Sequence, residues 1–342
     1  MILKAPFPWF GGKRRVASDV WRAFGPDVNN YVEPFFGSGA VLLGRPGGAG
    51  KIETVNDRDR YLVNFWRAVT ADPEVVAIAA DWPVNEADLH ARHQWLVDQA
   101  DFREQMHTDP DFFDVKIAGW WVWGLCCWIG GGWCSEPRGN AHAFSPGRIP
   151  SIGQPGMGVH TPHRTRPHMS GTSAGQGVHL PALGNDRGIH GVSAVPCVEW
   201  FRELQARFRR VRVACGDWRR VLGPSVLGKG KNVGGRRPCA VLLDPPYSHE
   251  VRDPGLYCED DPGIADQVRE WALEHGDDPD LRIALCGYVD EHEMPSSWQV
   301  HAWKAGRGYA GKDNENRKKE RIWFSPHCLP IDQQQGLFGV QT

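Results

Sequence analysis

The sequence predicts an open α/β sheet of mostly parallel strands with a late antiparallel strand, interrupted by a helical and loop-rich insertion. Three observations carry that expectation. Tyr31-Val32-Glu33 is a short strand pattern that runs into the turn Pro34-Phe35-Phe36-Gly37-Ser38-Gly39 and then an apolar helix start at Ala40-Leu43. Ala240-Val241-Leu242-Leu243 is a continuous apolar run, the pattern of a strand buried on both faces, stopped by Pro245 and Pro246. Between and after them, further short apolar runs alternate with helical spacing, as βαβ units require.

In chain order, the first segment is Pro6-Phe7-Pro8-Trp9-Phe10-Gly11-Gly12-Lys13, which sets Trp9 and Lys13 on either side of a glycine pair ahead of a helix near Arg14. Lysine there can meet a carboxylate, and the indole can cover an apolar or sulfonium group. Gly37 and Gly39 then allow the backbone to approach a ligand closely, as in the first βα turn of a nucleotide-type site. The third glycine of the dinucleotide fingerprint is missing, so a pyrophosphate cofactor fits poorly. The next strand, Lys51 to Asp57, ends in an acid about 20 positions after the glycine turn, where a carboxylate bonds ribose hydroxyls. Asp57 can alternatively cap a helix over Tyr61 to Val69, although Asn56 or Asp59 can do that instead.

Pro73 to Ala80 and Ala87 to Met106 have helical spacing. Phe112 to Trp128 is strongly apolar, with Trp120, Trp121, Trp123 and Trp128 clustered as core residues or, as a minor reading, base-stacking ones. Residues 130–191 are rich in Gly, Pro, Ser and His and read as long loops. His142, His160, His163, His168, His179 and His190 lie there without paired cysteines or a clear carboxylate partner, so no metal site is expected. Arg148, Arg164 and Arg166 in the same stretch suit contacts to phosphates or guanine edges. A helix over Pro196 to Phe208 buries Val198, Phe201 and Leu204 and turns its arginines outward. The strand after it ends in Cys215-Gly216-Asp217-Trp218, where Asp217 could accept from a cofactor's adenine amino group.

Asp244-Pro245-Pro246-Tyr247 is a rigid turn at a strand's carboxyl end. It presents a carboxylate, a carbonyl and an aromatic face together, which suits an amino group on a flat ring. A helix over Pro262 to His275, a strand Leu281 to Cys286, and late strands at Trp298 to Trp303 and Arg321 to Phe324 complete the sheet. Basic runs around Arg236 and Arg237, and around Lys318, are candidate phosphate contacts or solvated faces. The tail 331–342 is expected to be disordered.

Composition sets outer limits. A formal charge of -2 gives no global basic signal, so nucleic-acid affinity must come from local patches. Nine cysteines without a CxxC pair read as reduced thiols of a cytoplasmic protein. The first residues lack a signal pattern, and no window has the apolar length of a membrane span.

Five ordered stretches, Trp9-Phe10-Gly11-Gly12-Lys13, Glu33 to Gly39, Val55-Asn56-Asp57, Cys215 to Trp218 and Asp244 to Tyr247, resemble those of the Dam-type (D12 class) DNA adenine-N6 methyltransferases. The resemblance implies a Rossmann-like class I methyltransferase sheet. Residues 1–69 and 196–330 would form the catalytic domain, with 70–195 an inserted target-recognition region. It also implies S-adenosyl-L-methionine as cofactor and double-stranded DNA as partner, in a monomer that uses no metal. Trp9, Gly11, Gly12, Lys13, Glu33, Phe35, Gly37, Gly39, Asp57, Asp217 and Asp244 would line the cofactor pocket. Asp244, Pro245, Pro246 and Tyr247 would hold a flipped adenine for direct in-line transfer. The same turn also holds other exocyclic amino groups, which leaves cytosine-N4 transfer, or a catalytically silent nucleic-acid-binding protein, as alternatives.

Overall fold

The computed structural model describes residues 3–9, 11–84, 86–109, 111–128, 133–134, 197–228, 238–247, 263–304 and 319–331. Phe10, Arg148, Arg164, Arg166, Arg236, Arg237, Lys318, the histidines named above and the tail beyond residue 331 lie outside these residues.

A seven-stranded sheet organises the chain, in the order β3-β2-β1-β4-β5-β7-β6. The strands are β1 (Asn30–Glu33), β2 (Ile52–Asp57), β3 (Val211–Cys215), β4 (Cys239–Leu243), β5 (Leu281–Tyr288), β6 (Gln299–Ala302) and β7 (Glu320–Phe324). The first five run parallel, and β7 pairs antiparallel with both β5 and β6. β4 is buried at all five positions, as its unbroken apolar run requires of a central parallel strand. Strand order reverses between β1 and β4, where Val32 pairs with Val241. Ligands bind open α/β sheets at such a switch point, outside the carboxyl ends of the strands. The glycine turn leaves β1 and the Asp244 turn leaves β4, so the two motifs flank that crevice.

The helices are α1 (Ala17–Phe24), α2 (Ala40–Leu43), α3 (Arg60–Ala71), α4 (Pro73–Ala80), α5 (Glu86–Val97), α6 (Ala100–Thr108), α7 (Val115–Cys127), α8 (Cys197–Phe208) and α9 (Ile264–His275). The expected single helix over 87–106 is two, α5 and α6. Local bonds explain the break: the Asp98 side chain accepts from Gln94, and the Gln99 side chain donates back to the Trp95 carbonyl.

One aromatic core joins the helices to the sheet. Trp66 of α3 stacks on Phe208 of α8 at 4.3 Å, while Trp121 of α7 packs edge-on to Phe7 at 5.3 Å. Trp121 and Trp123 are fully buried and Trp128 nearly so, whereas Trp120 is half-buried with Lys116 over its ring. Helices α4 and α7 therefore share a core with α3 and α8, although they belong to the stretch read as an insertion.

The reading of α8 needs one correction. Phe201 and Leu204 are buried as expected, but Arg207 does not face outward. Glu53 of β2 is 1% exposed, and the Arg207 and Arg45 guanidiniums pair with its carboxylate at 2.6 Å and 3.1 Å. A buried carboxylate needs that compensation, so Arg207 serves the fold rather than a phosphate.

Candidate active site

The glycine turn forms because two glycines adopt positive φ, 49° at Gly37 and 62° at Gly39. Space also demands glycine: a Cβ on Gly37 would meet Trp9 Nε1 at 2.4 Å, and one on Gly39 would meet the Phe36 ring at 2.4 Å. Trp9 thus lies directly over the turn, which brings the first motif onto the second. A cavity of about 330 Å³ opens beside them, lined by Trp9, Gly12, Arg14, Ser38 and Ala40 among others.

Asp57 holds the turn from below. Its carboxylate accepts from the Gly37 N–H at 2.8 Å and the Asp59 N–H at 3.0 Å. Asp59, not Asp57, caps α3 by accepting from Tyr61 and Leu62. Burial raises the Asp57 carboxyl above its ordinary value, and the backbone N–H bonds only partly offset this. Asn56 reads in the sequence as part of a motif or as a helix cap, yet it ties three strand ends together. Its Nδ2 donates to the Pro34 and Gly216 carbonyls, each at 3.0 Å.

Glu33 is buried at the end of β1, where it accepts from the Tyr31 hydroxyl at 2.8 Å. Burial holds its carboxyl well above the usual range, and the charges of Asp244, Asp57 and Lys13 act on it as well. Phe35 lies beside Trp218, with ring centroids 5.9 Å apart. Asp217 is 54% exposed at the rim, where it caps the turn Trp218–Val221 by accepting from Arg219 N–H at 2.9 Å.

On the other side of the crevice stands the Asp244 turn. Lys13, 3% exposed, spends its three ammonium protons on three acceptors: Gly11 O at 2.8 Å, Asp244 Oδ1 at 2.8 Å and the Tyr247 hydroxyl at 3.1 Å. Burial alone would lower the Lys13 pKa, but Asp244, with help from Glu320, outweighs it and keeps the ammonium charged. Asp244 remains 21% exposed. Burial raises its carboxyl above the ordinary aspartate value despite the lysine. Tyr247 is largely buried, edge-on to Tyr288 at 4.5 Å, and its hydroxyl donates to Glu320 Oε2 at 2.8 Å.

Residues 9–107 match the family model of the D12 class N6 adenine-specific DNA methyltransferases. Over that stretch the chain is similar to the D12-class adenine-specific DNA methyltransferases. The matched stretch covers the Trp9–Lys13 loop, the glycine turn and Asp57, under a third of the chain; the Asp244 turn joins it through geometry. A search of curated proteins found no match. The family methylates DNA adenine and generally uses S-adenosyl-L-methionine.

The residues at the β1, β2 and β3 ends fit that cofactor by their chemistry. Glu33, Asp57 and Asp217 are acceptors, and Asn56 Oδ1 is a buried acceptor without a partner among the described residues. An acceptor-rich, acidic crevice complements a cationic molecule bearing an ammonium, two hydroxyls and an amine. Among the described residues, no group of three His, Cys, Asp or Glu side chains is arranged to hold a metal, and no helix is long and apolar enough to cross a membrane.

Sequence reasoning missed Glu320. It sits on β7 behind a run of basic residues, and the charge of that run drew the reading toward phosphate contacts. A lone acid before the apolar stretch Ile322-Trp323-Phe324 was the available signal.

Proposed function

We propose that this protein is an adenine-specific DNA methyltransferase that acts on duplex DNA by extruding the target adenine into the crevice between the glycine turn and the Asp244 turn. The observation that carries the reading is the Trp9–Lys13 loop: its tryptophan lies on Gly37, and four residues later its lysine grips Asp244. Trp9 and Lys13 thus link the cofactor side of the crevice to the base side.

The cofactor side would consist of Trp9, Gly11, Gly12, Glu33, Phe35, Gly37, Gly39, Asp57 and Asp217, with Lys13 at the junction. S-adenosyl-L-methionine, when bound, would supply the electrophilic methyl group and leave as the neutral thioether, and the proton released from the base nitrogen would pass to Asp244 or to solvent. The protein's part is to prepare that nitrogen. An adenine amino group is a weak nucleophile because its lone pair is delocalised into the ring. Asp244 and the Pro245 carbonyl accept its two N–H bonds, which favours a more tetrahedral nitrogen with the lone pair aimed at the donor. Lys13 keeps Asp244 ionised and fixed, so that its electrostatic work needs no reorganisation. Pro246 stiffens the turn, and Tyr247 supplies aromatic surface beside the base.

The sheet supports a Rossmann-like class I fold, with 70–195 as the target-recognition insertion and Arg148, Arg164, Arg166, Arg236, Arg237 and Lys318 as contacts to DNA. Reduced thiols suit the cytoplasm, and no disulfide links the described cysteines.

The test is mass analysis of nucleosides from unmethylated duplex DNA treated with the protein and isotope-labelled cofactor. Label in N6-methyldeoxyadenosine is expected. Label in N4-methyldeoxycytidine, or in no nucleoside, contradicts the reading.

A further inference from the structure

We propose that Glu320 is a positioning residue for methyl transfer, anchoring the Asp244 turn through the Tyr247 hydroxyl. This rests on the reading that Asp244 accepts the target amine.

The turn from Asp244 to Tyr247 leaves the sheet beside β5, and something must fix its far end. Pro245 and Pro246 make it stiff but offer no backbone donor. Fixing both ends of such a segment therefore fixes its carbonyls as well. One end is the Asp244 carboxylate on Lys13. The other is the Tyr247 hydroxyl, which accepts from Lys13 at 3.1 Å and donates to Glu320 at 2.8 Å. Glu320 is 4% exposed and pairs in register with Tyr288, the ring that stands edge-on to Tyr247. The result is a hydrogen-bonded chain from β7 through Tyr247 and Lys13 to the reacting carboxylate, closed on the loop side by Gly11 O.

A second acid around one ammonium is costly. Glu320 faces Lys13, Asp244 and Tyr247, with Glu291 nearby, and burial raises its carboxyl above the ordinary value. Removing a carboxylate from water at a site already holding Asp244 weakens the fold. A hydroxyl donor could have been satisfied by a neutral acceptor at lower cost. Placing a charge there strengthens the bond to Tyr247 and gives Lys13 a second counter-charge, so that it stays charged when Asp244 engages a base.

The experiment uses the full-length protein with Glu320→Gln, Tyr247→Phe and the double variant, compared by single-turnover transfer rate, by affinity for cofactor and DNA, and by pH profile. Each single change is expected to slow transfer about 10-fold to 100-fold through loss of positioning, with both affinities within about twofold. In the Tyr247→Phe background, Glu320→Gln is expected to cost little more, because both changes break one chain. Glu320 and Asp244 face the same ammonium, so loss of the Glu320 charge is expected to move the acid limb of the rate. A residue that only stabilises the fold would not move it. Losses that multiply, or single variants within about twofold of wild type with an unmoved acid limb, overturn the proposal. Should Glu320→Gln fail to fold, Tyr247→Phe decides alone by the same rate criterion. If Asp244→Ala remains active, the underlying reading fails; if it is inactive while these variants match wild type, only the role of Glu320 falls.

Discussion

Lys13 carries more of this site than any other side chain, because all three of its protons are committed and one of them fixes Asp244. A pH consequence follows. In the proposed mechanism Asp244 must be ionised to accept the target amine, and burial raises its pKa above the ordinary 3.8. Activity is therefore present above that raised value and lost as pH falls through it, so the acid limb of the single-turnover rate lies higher than for a free aspartate. Replacing Lys13 with Met removes the group that opposes this rise. The limb is then expected to move to still higher pH, with transfer slower by about 100-fold at neutral pH. A limb at the ordinary aspartate value in the wild type would show that Asp244 is not the titrating acceptor. Asp57 makes the complementary point: it reads in the sequence as a ribose ligand or a cap, and Asp59 holding α3 leaves the carboxylate at the glycine turn.

Strand ends were legible and helix interiors less so. Each of the β1, β2, β3 and β4 ends is marked by a glycine, an acid or a proline, because backbone approach, acceptors and rigid turns leave few residue choices. Burial of charge is not marked in this way, which is why Arg207 reads as a surface arginine. Its pair with Glu53 predicts that Glu53→Ala strands two guanidiniums beside a core strand and costs about 3 kcal/mol, measurable by urea unfolding. In the helical layer, His93 of α5 stacks on Trp128 at 4.8 Å, and burial lowers its pKa from 6.5 to about 4. A histidine kept neutral in the fold contributes stability above its unfolded pKa and loses it as pH falls from about 6.5 toward 4. His93→Gln is expected to flatten that part of the stability profile in thermal denaturation across pH. An unchanged slope would show that His93 does not set it.

At the scale of the whole molecule, five motifs spread over 239 positions, from Trp9 to Tyr247, lie along one carboxyl edge of one sheet, around its switch point. Their order in the chain and their place at one carboxyl edge were readable. The contacts that join them were not, because they depend on β4 inserting beside β1 and on Trp9 and Lys13 reaching the glycine turn and the Asp244 turn. Glu320 escaped for the same reason: its partner is 73 positions away, in a different strand connection. The near-neutral charge of the chain also implies that DNA affinity resides in local basic runs. Duplex binding is expected to weaken steeply between low and physiological salt, and deletion of 140–190 to remove most of it. Salt-insensitive binding would place recognition elsewhere. The central claim is that Asp244 does the chemistry, and single-turnover transfer of labelled methyl to duplex DNA by wild type and Asp244→Ala tests it most directly. A variant with native thermal stability and transfer reduced by at least about 1,000-fold is the expected result; a folded variant that transfers at near the wild-type rate would contradict it.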